Sequence, residues 1–481
     1  PGVIALVKGK RWIAAVAENW WQADEALAAM KPRFAGPGTV DSVTIAKQLD
    51  DALVRGEAAR IVEIGDPDGA MGQPDVTRRY DIAPALHAAI ETASATAHYH
   101  DGRLELWIAS QAPEAARQAA AKAVGLSLDD VVLYPVGAGG SFDARLEKSH
   151  AIEVAQIARE IGRPIQLTWP RAEEAKIVPP RTPVAIRLSA RLSRGEDGAP
   201  LAWHAMIACP ATVREFGHRL FDNNTPEAAI RKAAGEADPL ACEGAVPPYA
   251  IAHVAVDHAP VELALPTGRL RGNAVAYTAF ANEVFIDEIA REAERDPFLY
   301  RMALLGQSAR MAEVLRRASR LGEWDGGRPG SGQGIAMVRM DAFGDETHEG
   351  GGRIACVVKA RLAEGGLRVE RLSAVADIGR IVNLELARQQ IEGGLLFGLG
   401  LAAGCSPPWR SGRPTPAGLR DMNLPTLADA PDIRLDFIES EAEPFDPGEL
   451  GVAVAPPAIA NALFAATGRR YRTLPLVGHS E

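Results

Sequence analysis

Strand-period and helix-period segments succeed one another along this chain without settling into a strict strand–helix–strand order, and that irregular succession most limits what it can fold into. Residues 3–7 (VIALV) and 12–17 (WIAAVA) read as two short strands around a Lys8-Gly9-Lys10 turn. Asn19 caps a helix, WWQADEALAAMK, whose Trp21, Leu27 and Ala28 can face a core. Residues 32–40 are rich in Pro and Gly and read as a linker. Alternating residues over 58–110 end in the strand RLELWIA, a helix covers 112–124, and a buried strand covers 131–136. Val154, Ile157, Ala158 and Ile161 share one helical face, and Gly162 stops that helix before a strand at 164–169. Residues 184–209 form strands around a hairpin turn at Gly195-Glu196-Asp197-Gly198, and the polar segment 222–245 reads as a surface excursion.

The second half begins near Pro266. Helices are expected at 280–293 and 297–305, with Asp296 capping the latter, Pro297 as its first residue and Gly306 as its stop. Strands at 334–339, 353–362 and 367–377 lead to a helix at 384–399. The chain closes with a strand at 433–438, a loop at 444–454 and a helix begun by Pro456-Pro457. The fold class is therefore α+β and multi-domain, not a doubly wound sheet.

A length of 481 residues suggests two to four domains, and 47% hydrophobic residues can bury a large core without disulfide or metal staples. Net charge is -10 with Lys and Arg scattered, which argues against nucleic acid or an anionic membrane surface as partner. The most apolar stretch, GGLLFGLGLAAG at 393–404, is too short and glycine-rich to span a bilayer, so no membrane span is expected. Cys209, Cys242, Cys356 and Cys405 lie far apart with no zinc-finger, ferredoxin or CxxC spacing, which places any iron–sulfur cluster on another chain. The start, Pro1-Gly2-Val3, carries neither Met nor an apolar signal core and reads as processed, trimmed or incomplete.

Several segments can carry chemistry, each with an ordinary structural alternative. Gly137 to Phe142 (GAGGSF) sits between a strand and a helix, where glycines let backbone N–H groups approach a phosphate or oxo group; for an isolated Gly-rich turn a plain tight turn is the commoner case, so the motif is weak by itself. Glu449, in Pro447-Gly448-Glu449-Leu450-Gly451, can project into a cavity as a general base or remain a solvated loop carboxylate, one of 62 acidic residues. Gln111 follows a strand and can donate into a cleft or begin the next helix. Arg271, before Gly272, is an anion clamp or a surface charge, and Gln390 reads a cofactor edge or caps a helix. His87 and Glu91, at i and i+4, suit a structural hydrogen bond better than a metal, and His98 and His100 flank Tyr99 and point to solvent. The tryptophans, Trp20-Trp21 included, read as core or interface packing. No Walker loop, Rossmann fingerprint or ligand-spaced His/Cys cluster supports a nucleotide or zinc enzyme.

These segments occur collinearly in an order that resembles the molybdopterin-binding large subunit of the xanthine dehydrogenase/aldehyde oxidase family, nearest the isoquinoline 1-oxidoreductase beta-subunit branch. The matching stretches include ELWIASQAP, GAGGSFDARLEKSHAIEVAQIAREIGRPIQLTWPRAEE, PTGRLRGNAVAYTAFANEVFIDEIA, VADIGRIVNLELARQQIEGGLLFGLGLA and GELGVAVAPPAIANALFAATGRRYRTLPL. The resemblance implies residues 1–35 as the remnant of an N-terminal α/β domain and linker, 36–262 as a first molybdenum-cofactor-binding domain and 263–481 as a second. It implies Glu449 as the catalytic base acting on a metal-bound hydroxide, and Gln111 as the amide bonded to the molybdenum oxo group. Gly139, Gly140, Ser141 and Phe142, with Asp143 following, match the loop beside the metal; Arg271 and Gly272 match the loop over the site; Gln390 matches the pterin contact, with Gly448 preceding the base.

Implied with these are a molybdenum–molybdopterin cytosine dinucleotide, a small [2Fe–2S] subunit that takes the electrons, and a small-molecule substrate, an N-heteroaromatic or an aldehyde, hydroxylated with oxygen from water. Localisation is the bacterial periplasm or cytoplasm, leaning to the periplasm. Three departures stand out. The family loop continues Phe-Gly-Arg-Arg where this chain has Phe142-Asp143-Ala144-Arg145, so Asp143 is expected to strain the turn or weaken cofactor binding. Gly272-Asn273-Ala274 replaces a Ser-Val-Gly-like continuation, and Pro1 aligns well inside family sequences, as if an N-terminal portion lay on another chain or had been removed. The alternative these departures motivate is a non-catalytic relative, a scaffold or assembly component.

Overall fold

The computed structural model describes residues 2–34, 40–195, 198–306, 308–341, 350–364, 366–415 and 418–477. Part of the 32–40 linker and the tip of the 195–198 turn fall outside them. Helices and sheets are intermixed as the sequence indicates. A six-stranded mixed sheet runs in the order Thr473–Leu474, Val76–Ile82, Val184–Leu192, Pro200–Cys209, His253–Pro260, Ala59–Ile64. Pro200–Cys209 pairs antiparallel with Val184–Leu192 and parallel with His253–Pro260. A second sheet orders Gln333–Met340, Gly352–Ala363, Gly366–Asp377 and Asp432–Phe437, an antiparallel meander with a parallel edge. A third orders Val131–Pro135, Arg103–Ile108, Ser94–His100 and Ile165–Thr168.

Three apolar helices join the first two sheets. Helix Val275–Glu292 is buried over almost its whole length, from Val275 to Ala290. Helix Leu450–Thr467 packs against it, against the second sheet and against helix Leu384–Ala403. Its approach to the sheet is backbone-close: a Cβ on Gly334 would lie 2.1 Å from Ala462 N. Asn461 secures that contact, its amide donating to the carbonyls of Ile335 (3.1 Å) and Glu283 (3.3 Å). Leu450–Thr467 is also apolar enough to cross a membrane by length and composition, but 83% of that stretch is buried inside the protein, as a central core helix is.

The structure corrects several readings. Pro456 and Pro457 do not begin the last helix; they lie inside it, and it starts at Leu450, directly after Glu449. Proline in a helix interior forfeits a hydrogen bond, but burial on every side outweighs that cost here. Part of the accommodation comes from Gly398, which faces the Val452 carbonyl that Pro456 cannot satisfy; a Cβ there would stand 2.9 Å away. Helix Val275–Glu292 starts five residues before the expected 280. Residues 222–245 are no mere excursion, because Ala229, Ile230, Ala233, Ala241 and Cys242 are buried. The strand Val131–Pro135 is an edge strand with exposed Val132 and Tyr134. Helix Trp20–Met30 has no buried residue, and Trp20 and Trp21 are exposed. Helices Ser42–Arg55, Arg171–Ile177 and Ala309–Leu321 lie in stretches where no helix was read.

Candidate functional site

Glu449 occupies the N-terminal end of the core helix Leu450–Thr467. Its side chain does not cap that helix; it accepts a hydrogen bond from the backbone N–H of Gly272, a residue 177 positions away. Glycine is needed there, since Gly272 has φ +94° and a Cβ would lie 2.9 Å from both Ala276 and Val452. Burial pushes the Glu449 carboxyl up to about 7; the charge of Asp143 adds to the shift, and Arg271 and Arg269 oppose it.

The segments singled out by sequence meet around this carboxyl. Arg271 Nε donates to the Gly448 carbonyl (2.8 Å), and Nη2 donates to the Gln390 carbonyl (3.0 Å) and side-chain oxygen (3.2 Å). The Arg271 backbone N–H donates to Phe142 O (3.3 Å), joining this half to the glycine-rich loop. In that loop the Ser141 hydroxyl donates to Gln111 Oε1, while Gln111 Nε2 donates to Asp143 (3.1 Å). Phe142 packs on Phe397 at 4.7 Å between ring centroids, and the Arg271 guanidinium lies over the same Phe397 ring. Gly139 takes part through its N–H, which Glu91 accepts, and a Cβ on Gly139 would collide with that Glu91 side chain.

Asp143 has left-handed backbone geometry, φ +76°, next to Phe142 at φ +54°, so the strain expected of a side chain in this turn is present. Its charge is not isolated, because Arg269 Nε lies 3.3 Å from its carboxylate. Arg269 and Phe397 were missed by sequence reasoning, and Glu91 was weighed only as a partner of His87 and not as part of this loop; Arg269 could have been suspected only from the Arg-Leu-Arg alternation of 269–271. His87 does make a structural hydrogen bond, but with the Arg269 carbonyl (2.8 Å) and not with Glu91.

This donor set suits an organic cofactor that brings its own metal. Amides, a hydroxyl, guanidinium and backbone groups gather around Glu449 and Asp143, and among the described residues bonded there none is a thiolate or an imidazole. Among the described residues, the one group of three His, Cys, Asp or Glu side chains close enough to hold an ion is His98, His100 and Glu105, on the third sheet.

Comparison with known proteins agrees. Residues 53–304 and 310–431 each match a family profile described as a molybdopterin cofactor-binding domain. The chain belongs to this family, that of the molybdopterin-binding subunits of xanthine dehydrogenase/aldehyde oxidase-type oxidoreductases. It is 26% identical over 418 residues to the isoquinoline 1-oxidoreductase subunit beta of Brevundimonas diminuta, covering 86% of this chain and 52% of that protein. It is 25% identical to a membrane-bound aldehyde dehydrogenase of Gluconacetobacter polyoxogenes, covering 97% of this chain and 62% of that protein. The chain thus spans about half the length of the curated relatives it matches. Its fold is that of the aldehyde oxidoreductase from Desulfovibrio desulfuricans (TM-score 0.72, 16% identity, 99% of this chain and 73% of that one). Quinoline 2-oxidoreductase from Pseudomonas putida 86 shares it too (TM-score 0.69, 16% identity, 96% and 83%).

Proposed function

We propose that this chain is the molybdopterin-binding part of a hydroxylase that oxidises an electron-poor carbon, in an N-heteroaromatic or an aldehyde, with water as the oxygen source. The observation that carries this reading is Glu449: a carboxyl in a buried setting, raised to about 7, at the meeting point of the Gln111, Phe142, Arg271 and Gln390 segments. When bound, the cofactor supplies the two-electron oxidation of the substrate carbon.

The protein's share is proton transfer and placement. With its pKa near the working pH, Glu449 can take a proton from the attacking water-derived oxygen and release it later. The Gly272 N–H orients the carboxylate, and Arg271 sets a positive charge beside it. Arg271 and Gln390 form one polar wall for a pterin edge, and Gln111 with Ser141 forms another, where an amide can polarise an oxo group. Phe142 and Phe397 supply apolar area that excludes water near the reacting carbon.

In this reading the cofactor has the cytosine dinucleotide form and the electrons leave through a small [2Fe–2S] subunit. Kinship with a relative named as subunit beta supports a multi-subunit enzyme. The four cysteines support an electron acceptor outside these residues, because Cys209, Cys242, Cys356 and Cys405 lie far apart with no cluster spacing. Metal and nucleotide analysis of the purified complex tests the proposal. Stoichiometric molybdenum, released cytidine monophosphate and turnover of an N-heteroaromatic or aldehyde substrate are expected. A complex free of molybdenum would instead establish the scaffold reading that Asp143 motivated.

A further inference from the structure

The third sheet holds a side-chain cluster that the molybdopterin site does not use. Ser94–His100 and Arg103–Ile108 are antiparallel neighbours, and Glu105 stands directly across from His98. His98 and His100, two apart on one strand, project from the same side of the sheet. Their rings stack at 4.3 Å between centroids. Helices Pro113–Val124 and Ser149–Ile161 pack the opposite side, where Ala97, Leu104 and Leu106 are buried. The solvent reading of the two histidines is therefore incomplete: they are half-buried and converge on a carboxylate.

Three ligand atoms, one from each residue, lie within 4.8 Å of one another. His100 Nε2 is 3.3 Å from Glu105 Oε2, and His98 Nδ1 is 3.9 Å from the same oxygen. Ligand atoms on a tetrahedral zinc ion stand about 3.3 Å apart, so only small rotations of the side chains are needed. The surroundings are those that orient metal ligands. The Tyr134 hydroxyl donates to Glu105 Oε1 (3.1 Å), leaving Oε2 for an ion, and Tyr134 is itself stacked on Trp107 at 5.1 Å. Asp101 Oδ2 lies 3.5 Å from His100 Nδ1, the nitrogen that an ion on Nε2 leaves protonated.

We propose that His98, His100 and Glu105 bind a divalent transition-metal ion of the borderline class, zinc(II) in the first instance, on the outer face of this sheet. Two imidazoles and one carboxylate match that class, and hard ions such as calcium prefer all-oxygen sites. The site is separate from the molybdopterin site: Glu105 lies three strand residues, about 10 Å, before the strand end at Ile108, and Gln111 comes three residues after that end. With three protein ligands, a fourth position is open to water or to a donor group from a partner.

Zinc titration of the purified, molybdenum-loaded protein, freed of divalent ions by a chelator, tests this. The expected result is one zinc equivalent, with cobalt(II) giving the visible bands of a tetrahedral site. His98→Ala/His100→Ala and, separately, Glu105→Gln should each lose that equivalent while keeping the molybdenum content of the parent. Tyr134→Phe should weaken binding by about tenfold, as loss of an orienting partner does. Absence of zinc binding in the parent, or an unchanged stoichiometry in both variants, would overturn the proposal.

Discussion

Asp143 combines a left-handed backbone with a carboxylate shared between Gln111 and Arg269, and its charge is second to burial in raising Glu449. A base must be deprotonated to act, so kcat/KM should rise with pH through a midpoint near 7. Asp143→Asn removes a negative charge that disfavours ionised Glu449, so that rising limb should move to lower pH. A pH profile with an unchanged midpoint would show that Asp143 is not felt at the base. At this scale the sequence was informative through order, not through single residues. Glu449 is one of 62 acidic residues, and only the collinear blocks around it marked it. Arg269 stayed hidden because its partner Asp143 lies 126 positions away, and pairing across that distance leaves no local pattern.

Where helices Leu384–Ala403 and Leu450–Thr467 cross, their backbones nearly touch. A Cβ on Gly451 would lie 2.6 Å from Ile391 O and from Leu395 N, and both are main-chain atoms that cannot turn aside. Gly451→Ala should therefore part the helices, cost about 1–3 kcal/mol of stability and move Glu449, two residues away. A lower Tm together with a lower kcat is expected; an unchanged Tm would mean that the crossing tolerates the methyl group. The sequence placed these helices but not the start of the second. LGVAVAPPAIANALFAAT is apolar on every side, so it has no periodic face to mark its first turn, and Pro456-Pro457 looked like a beginning. Tertiary burial, which local rules do not register, fixes that helix and turns an expected loop carboxylate into a helix-end one. The exposed Trp20 and Trp21 show the converse, since apolar spacing alone does not say whether a covering surface exists.

Across the whole molecule, burial sets the ionisation of groups far from the site as well. Glu215, hydrogen-bonded by the Thr267 N–H (3.0 Å) and hydroxyl (2.9 Å), is pushed up to about 7 by burial. The native protein thus holds a proton that the unfolded chain releases above its ordinary carboxyl pKa of about 4.3. Its contribution to stability is full below that value and is lost as pH rises through about 7. The difference in Tm between the parent and Glu215→Gln should shrink steadily from about pH 5 to about pH 8; a difference independent of pH would contradict the assignment. The mixed architecture was legible in the sequence because strand and helix periods are local. The sheet order was not, because Thr473–Leu474 joins the six-stranded sheet beside Val76–Ile82 from the opposite end of the chain. The most direct test of the central claim is the turnover of Glu449→Gln measured beside its molybdenum content. Full molybdenum occupancy is expected, with kcat reduced by about 10²–10⁴. Parent-like turnover in the fully loaded variant would contradict it.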